Sequence, residues 1–185
     1  APRSIGMTDS GPEKRPTTYR YDILGRVTEQ VLPDARAPEW RASTITSEYL
    51  IEGNRDVTIT IDPENIERRQ ERDARGNITA VTDYPDGQVL TTTYDYNVLG
   101  EILSVTDPGG NTVSVEYDSL GRRTALVTPN SGRTEYTYDL AGNLLRKIDE
   151  NLRAAGGAIR YHYDYRRLRR IEYPETADVH YTYGE

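Results

Sequence analysis

A tyrosine followed four residues later by a glycine recurs along this chain, and no other feature constrains its fold as tightly. Aligned on that pair, the tyrosine column reads Tyr21, Tyr49, Arg72, Tyr96, Tyr117, Tyr138, Tyr163 and Tyr183. Successive intervals are 28, 23, 24, 21, 21, 25 and 20 residues, so the unit is about 21 residues with insertions. The next column holds Asp22, Leu50, Asp73, Asn97, Asp118, Asp139, Asp164 and Gly184. The glycine column holds Gly25, Gly53, Gly76, Gly100, Gly121 and Gly142, after which Arg167 takes the place. Such a chain is an array in which each unit buries surface only against its neighbours.

The physical content of Tyr-Asp-x-x-Gly is a turn. Asp suits the first position of a type I turn because its carboxylate accepts backbone N–H groups two residues on, and Gly at the fourth takes the left-handed conformation that closes a bulged hairpin. Asp118-Ser-Leu-Gly121 and Asp139-Leu-Ala-Gly142 therefore read as chain reversals. Before the turns stand tyrosines two apart, as in Tyr136/Tyr138 and Tyr161/Tyr163, which a strand places on one face. After each glycine a second strand follows, such as Glu101-Ile-Leu-Ser-Val-Thr106, ending at a breaker such as Asp107-Pro-Gly-Gly-Asn111 or Pro129-Asn-Ser-Gly132. Each unit is strand, turn, strand, turn, with strands of about 5 to 7 residues. The second strand does not alternate strictly, which means either that both its faces are partly covered or that bulges intervene. Tyr49 to Gly53 keeps the four-residue offset with a longer strand after it, and Asp62-Pro63 precedes Asp73 as Asp107-Pro108 precedes Asp118. The expected fold is all-β: tandem hairpins forming a curved β-sheet spiral.

Composition agrees once the repeat is known. With 35% hydrophobic residues, no Phe and a mean hydropathy of −0.77, the 185 residues look too polar to fold, but 15 Tyr with recurrent Thr, Val and Ile are sheet formers. No apolar run approaches the roughly 20 residues that span a bilayer, so no membrane insertion is expected. The N-terminus, Ala1-Pro-Arg-Ser-Ile-Gly6, lacks the apolar core of a signal peptide. The charge, 23 − 30 = −7, argues against a nucleic-acid partner, which needs a basic face. The absence of Cys removes disulfides, thiolate nucleophiles and Cys-ligated zinc, and fits both secreted and cytosolic proteins. Residues 1–16, rich in Pro, Gly, Ser and charge, are expected to be a flexible tail or linker. Residues 17–185 form the array of about eight units, the last truncated at Tyr183-Gly184-Glu185, which suggests a fragment of a longer array.

Tyr21-Asp22-Ile-Leu-Gly25-Arg26, Tyr117-Asp118-Ser-Leu-Gly121-Arg122 and Tyr138-Asp139-Leu-Ala-Gly142-Asn143 resemble the YD repeat of the RHS family. That family includes bacterial RHS polymorphic toxins, the B and C components of Tc toxin complexes, wall-associated proteins and teneurins. The resemblance covers residues 17–185 and departs at Arg72, Leu50, Asn97, Arg167 and Gly184. It implies a long β-ribbon winding into a hollow shell that, in toxin members, encloses a C-terminal toxic domain. The implied partners are the rest of that shell, its cargo and toxin-complex subunits, and the implied location is outside the producing cell. Cargo-releasing members also carry a self-cleaving aspartyl protease region, which this sequence lacks.

No catalytic, cofactor or metal site is expected. Asp22, Asp73, Asp118, Asp139 and Asp164 recur at one place in every unit, whereas a paired-carboxylate site needs two acids converging in one pocket. Asp107-Pro-Gly-Gly-Asn111 lacks the nine-residue period of calcium-binding β-rolls, and His162 and His180 stand eighteen residues apart without fixed partners. Arg166-Arg-Leu-Arg-Arg170, with Arg160, reads as a solvated strand face or as cross-strand partners for carboxylates, and more weakly as a surface for nucleic acid or an acidic cargo. The tyrosine column is expected to stack along the sheet, and a row of exposed Tyr also suits a glycan-binding adhesin. Two functions remain open at this point: a structural, non-catalytic segment of a toxin shell, and a cell-surface adhesin or carbohydrate-binding module.

Overall fold

A computed structural model describes residues 16–32 and 43–184. Of the expected 1–16 tail, residues 1–15 lie outside the described part. The described chain is all-β, fifteen antiparallel strands in two compact units divided between Leu90 and Thr91. In the first unit β1 (Thr18–Tyr21), β2 (Val27–Leu32), β3 (Ser43–Glu52), β4 (Arg55–Ile61), β5 (Glu67–Arg72) and β6 (Ile78–Tyr84) pair each with the next. In the second unit β7 (Leu90–Tyr96), β8 (Ile102–Thr106), β9 (Thr112–Tyr117), β10 (Arg123–Thr128), β11 (Gly132–Tyr138) and β12 (Leu144–Ile148) do the same. After a one-turn helix, β13 (Ile159–Asp164), β14 (Arg167–Glu172) and β15 (Val179–His180) continue the meander. Most of the described connections are tight hairpin turns, as expected of strands alternating with turn residues every ten or so positions, with α1 standing between β12 and β13.

The helix α1 (Glu150–Ala154) accounts for the 25-residue interval between Tyr138 and Tyr163. Asp149 caps it by accepting the Leu152 N–H at 3.0 Å, and Arg153 ties it to β11 by an ion pair with Glu135 at 3.1 Å.

Six of the hairpins that follow the tyrosine column carry the same irregularity. Tyr21 faces Val27 but Arg20 faces Glu29, so Thr28 is an extra residue; Thr79, Leu103, Thr124, Leu145 and Arg169 are extra in the same way. These are β-bulges. They break the alternation after Gly25, Gly76, Gly100, Gly121 and Gly142, and show that bulges intervene.

Very little of either unit is buried. Among the described residues, only Val57, Ala125 and Ala158 are buried apolar residues, with Thr82 the buried polar one. Register gives the second unit two unlike faces, because opposed residues share a face and i, i+2 residues repeat it. Tyr94, Val105, Val115, Leu126, Tyr136 and Tyr161 lie on one; Asp95, Ser104, Glu116, Glu135, Arg160 and His162 lie on the other.

Candidate functional site

Seven turns among the described residues share one geometry, beginning at Asp22, Asp62, Asp73, Asn97, Asp107, Asp118 and Asp139. In each, the N–H of the fourth residue donates to the first residue's carbonyl at 2.9–3.2 Å, and the first residue's N–H donates to the fifth's carbonyl at 2.9–3.1 Å. This is a type I turn closed by a left-handed bulge residue. The fourth residue has positive φ throughout: 78° at Gly25, 87° at Gly76, 84° at Gly100, 74° at Gly121 and 87° at Gly142. The first side chain caps the loop; Asp118 Oδ1 accepts the N–H groups of Leu120 at 2.9 Å and Arg122 at 3.0 Å. The breakers at Asp62 and Asp107 are thus the same turn, with Asn65 (φ 64°) and Gly110 (φ 81°) in the left-handed place. Their Asp-x-x-[Gly/Asn] spelling is the signal by which the sequence could have shown it.

The fifth residue answers the first. Arg26 and Arg122 each donate Nε to the aspartate's Oδ2 at 2.7 Å, and Asn77, Asn111 and Asn143 donate their amides at 3.0, 2.8 and 2.8 Å. Where the first residue is Asn97 the roles reverse: its amide donates to Glu101 at 2.5 Å. These donors set the acidity. The side-chain amides of Asn77, Asn111 and Asn143 hold Asp73, Asp107 and Asp139 below the usual carboxylate range, backbone N–H groups adding to the effect. The Arg26 N–H and guanidinium do so for Asp22; at Asp118, desolvation pushes upward but the Arg122 N–H and guanidinium prevail. Carboxylates held ionised in this way are poor proton donors at neutral pH.

Three column tyrosines reach back to the preceding hairpin. Tyr49 donates its hydroxyl to the carbonyl of Val27 at 2.9 Å, Tyr138 to Arg123 at 2.8 Å and Tyr183 to Leu168 at 2.8 Å. All three carbonyls belong to the residue beside the bulge, where the ladder is disturbed. The arginine of the preceding turn then covers the ring: Arg26 lies 4.3 Å from the Tyr49 centroid and Arg122 5.0 Å from that of Tyr138. Arg122 also donates to the Asp139 carbonyl at 2.7 Å, and Asn143 to that of Tyr165 at 3.1 Å. The expectation that column tyrosines stack on one another is corrected here. Those in strands sit on alternate strands, roughly 9.5 Å apart, beyond stacking range, and at Tyr49, Tyr138 and Tyr183 an arginine lies against the ring instead.

The departures from the motif have physical reasons. Between β3 and β4 the hairpin is a two-residue turn, Gly53-Asn54, with Glu52 facing Arg55; Tyr49 and Leu50 lie inside a strand that runs on to Glu52, not at a turn. Gly53 (φ 62°) serves the first turn position. This hairpin has no bulge, and the next residue in the tyrosine column is Arg72, whose guanidinium bonds Gly76 and Gln70 within its own hairpin. Between β13 and β14 the turn is Tyr165-Arg166, so Asp164 caps nothing and instead pairs loosely with Arg169 at 3.6 Å. The left-handed place falls on Tyr165 (φ 55°) rather than on Arg167. Tyr96, Tyr117 and Tyr163 end or nearly end their strands, as Tyr21, Arg72 and Tyr138 do.

A second recurrence escaped the sequence reading. Arg69 grips Glu52 with both terminal nitrogens and donates Nε to Glu71 at 3.1 Å. Arg133 grips Glu116 at 2.6 and 2.8 Å and donates Nε to Glu135 at 2.9 Å. The spelling is Arg-x-Glu with a second Glu seventeen residues earlier. Each arginine spans the strand carrying Val57 or Ala125, both 1% exposed, so a charged canopy covers the few buried residues. The basic run finds carboxylates: Arg160 meets Glu172 across the β13–β14 pair at 2.9 Å, and Arg170 meets Glu172 on its own strand at 3.0 Å and Asp178 at 3.5 Å. His162 contacts Glu172 at 2.9 Å and Arg170 at 3.1 Å. Among the described residues no cluster of three His, Cys, Asp or Glu is arranged to hold a metal. An open cleft of about 650 Å³ lies over β10 to β12, lined by Tyr136, Lys147, Asp149, Asn130 and Asn151 among others.

The profile of the family described as RHS Repeat matches residues 72–112, 96–133 and 117–154, windows that start on the column residues Arg72, Tyr96 and Tyr117. A search of curated proteins finds no match. Among solved structures, a Photorhabdus luminescens Tc holotoxin pore is similar over 87% of this chain, at 19% identity and a TM-score of 0.61. TcdB2-TccC3 is similar over 88%, at 18% identity and a TM-score of 0.63, and so is TcdB2-TccC3 without its hypervariable C-terminal region. In each case the chain spans 9% of the length of the solved chain.

Proposed function

From a chain whose residues 72–154 are RHS repeats and whose strands follow the fold of the Tc proteins, we propose a structural segment of a shell wall that encloses a cargo domain. The observation that carries this reading is the reach of Tyr49, Tyr138, Tyr183 and Arg122 into the neighbouring hairpin: these side chains of the repeat motif are engaged in joining unit to unit. On this reading residues 17–185 are one continuous array, residues 1–16 lead into it, and the role is non-catalytic. The partners are the rest of the shell, its cargo and other toxin-complex subunits, and the protein acts outside the producing cell. Limited proteolysis of the full-length parent tests it. A cargo domain that resists protease while the array is intact, and is digested once the array is unfolded, supports enclosure; equal digestion in both states overturns it.

A second reading rests on the cleft over β10 to β12, where Tyr136 stands beside amides and carboxylates of the kind that bind sugar hydroxyls. Glycan-array binding that disappears in Tyr136→Ala would favour an adhesin.

A further inference from the structure

The two rims of the sheet are unlike. Connections from odd to even strands form one rim and those from even to odd strands the other. In the second unit the first rim carries Leu99, Leu120 and Leu140 at turn centres, 74%, 69% and 102% exposed, with Tyr165 at 93%. The opposite rim carries Pro108 and Pro129, both exposed. In the first unit only the turn after β1 shows the same feature, with Ile23 and Leu24 exposed; the turns Gly53-Asn54 and Ala74-Arg75 on that rim carry no large apolar residue, and the other rim carries Pro63 and the exposed Val89.

Turn centres of this type accept nearly any residue and are usually polar, so a leucine there does nothing for its own hairpin. Its recurrence at successive turns of one rim, in a chain with only 35% hydrophobic residues, points to a partner outside the hairpin. The spacing identifies that partner. Tips on one rim recur every two strands, roughly 9.5 Å, and only a surface with the same period can meet them one for one. The proline rim of a like array has that period, because both rims belong to the same hairpins. A lipid surface needs no period, and an anionic one repels a chain of charge −7.

We propose that the leucine rim is a seam that docks on the proline rim of another stretch of the same repeat array, which in a shell wall is the adjoining turn of the ribbon. The proposal rests on the wall reading and adds the contact that joins one course of the wall to the next. A neighbouring stretch tethered in one chain has an effective concentration in the millimolar range, so a weak contact suffices and two copies of this chain can report it.

Sedimentation of the 185-residue protein up to about 1 mM should show a mass rising above 21.0 kDa with concentration. The variant Leu99→Asp/Leu120→Asp/Leu140→Asp should stay monomeric with an unchanged far-UV spectrum. Because the chain has no Cys, mixing Leu120→Cys with Pro108→Cys and oxidising should give mixed disulfides in excess of random pairing. A wild type that stays monomeric throughout, a triple variant that associates equally well, or random disulfide pairing overturns the seam. So does binding to phosphatidylcholine–phosphatidylserine vesicles through these leucines in place of self-association. The wall reading is judged separately by protection of the cargo, so either can fail alone.

Discussion

At the scale of the residue, two glycines of the same column should respond differently to one substitution. Gly121 and Gly142 both have strongly positive φ, where a β-branched residue is strained by on the order of 1–2 kcal/mol or more. At Gly142 a Cβ would meet nothing within 4 Å, whereas at Gly121 it would stand 2.7 Å from Glu101 Oε1 and displace the carboxylate that holds Asn97. Gly142→Val should therefore loosen one hairpin, and Gly121→Val should loosen its own hairpin and the one before it. Hydrogen exchange read over residues 97–101 and 112–128 distinguishes the two; unchanged protection in both variants would contradict the conformational role of the column. Tyr165 offers the reverse experiment. It holds φ 55° without glycine's freedom and is 93% exposed, so it has little packing to lose. Tyr165→Gly should raise stability by up to about 1 kcal/mol, measured by urea unfolding, if relief of strain outweighs the added entropy of the unfolded chain.

At the scale of the element, the hairpin bulge and the tyrosine of the next unit belong together. Tyr138→Phe removes the donor to the Arg123 carbonyl beside a bulge and should cost about 1 kcal/mol, with faster exchange in β10. Arg72→Tyr should bring no matching gain, because the hairpin before it has no bulge to serve. A stabilising Arg72→Tyr would break that link. The strand-turn order was legible because Asp and Gly are nearly obligatory where a carboxylate must cap a loop and φ must be positive. The bulges were not, since the extra residue is Thr, Leu or Arg and carries no chemical mark. Tyr49 to Gly53 misled for a related reason: the spacing survives there, but strand pairing and the Gly53-Asn54 turn set the register. The arginine canopy was written in Arg69-x-Glu71 and Arg133-x-Glu135, yet its third member lies seventeen residues away, a distance meaningful only once three strands are side by side. The leucine tips carry no mark in any one motif, because a single turn cannot show that its neighbours carry the same residue on the same rim.

At the scale of the whole molecule, the array has almost no buried core, and ionised acids cap its turns and pair across its strands, which makes its stability depend on pH. The turn aspartates Asp22, Asp73, Asp107 and Asp139 are lowered from an ordinary value of 3.8 by amide and N–H donors. The canopy glutamates Glu52, Glu116 and Glu135 are lowered from 4.5 by hydrogen bonds from Arg69 and Arg133. A carboxylate with a folded pKa below its unfolded one binds fewer protons when folded, so its contribution is complete above the unfolded value and is lost as pH falls through the folded one. The same hydrogen bond sites recur in unit after unit, so the losses accumulate over one narrow interval instead of being spread across the titration range. Far-UV circular dichroism should therefore be unchanged from pH 8 to about 5.5 and fall away below about 4. In the same titration the backbone amides of Leu120 and Arg122, which bond Asp118 directly, should shift with a midpoint below 3.8 when followed by NMR. Added salt should weaken the exposed arginine canopy but leave those two amide midpoints nearly unmoved, since the turn bonds are short-range contacts to backbone N–H groups. A loss of structure centred above about pH 5, where these carboxylates remain ionised, would show that the turns and the canopy are not what holds the array together.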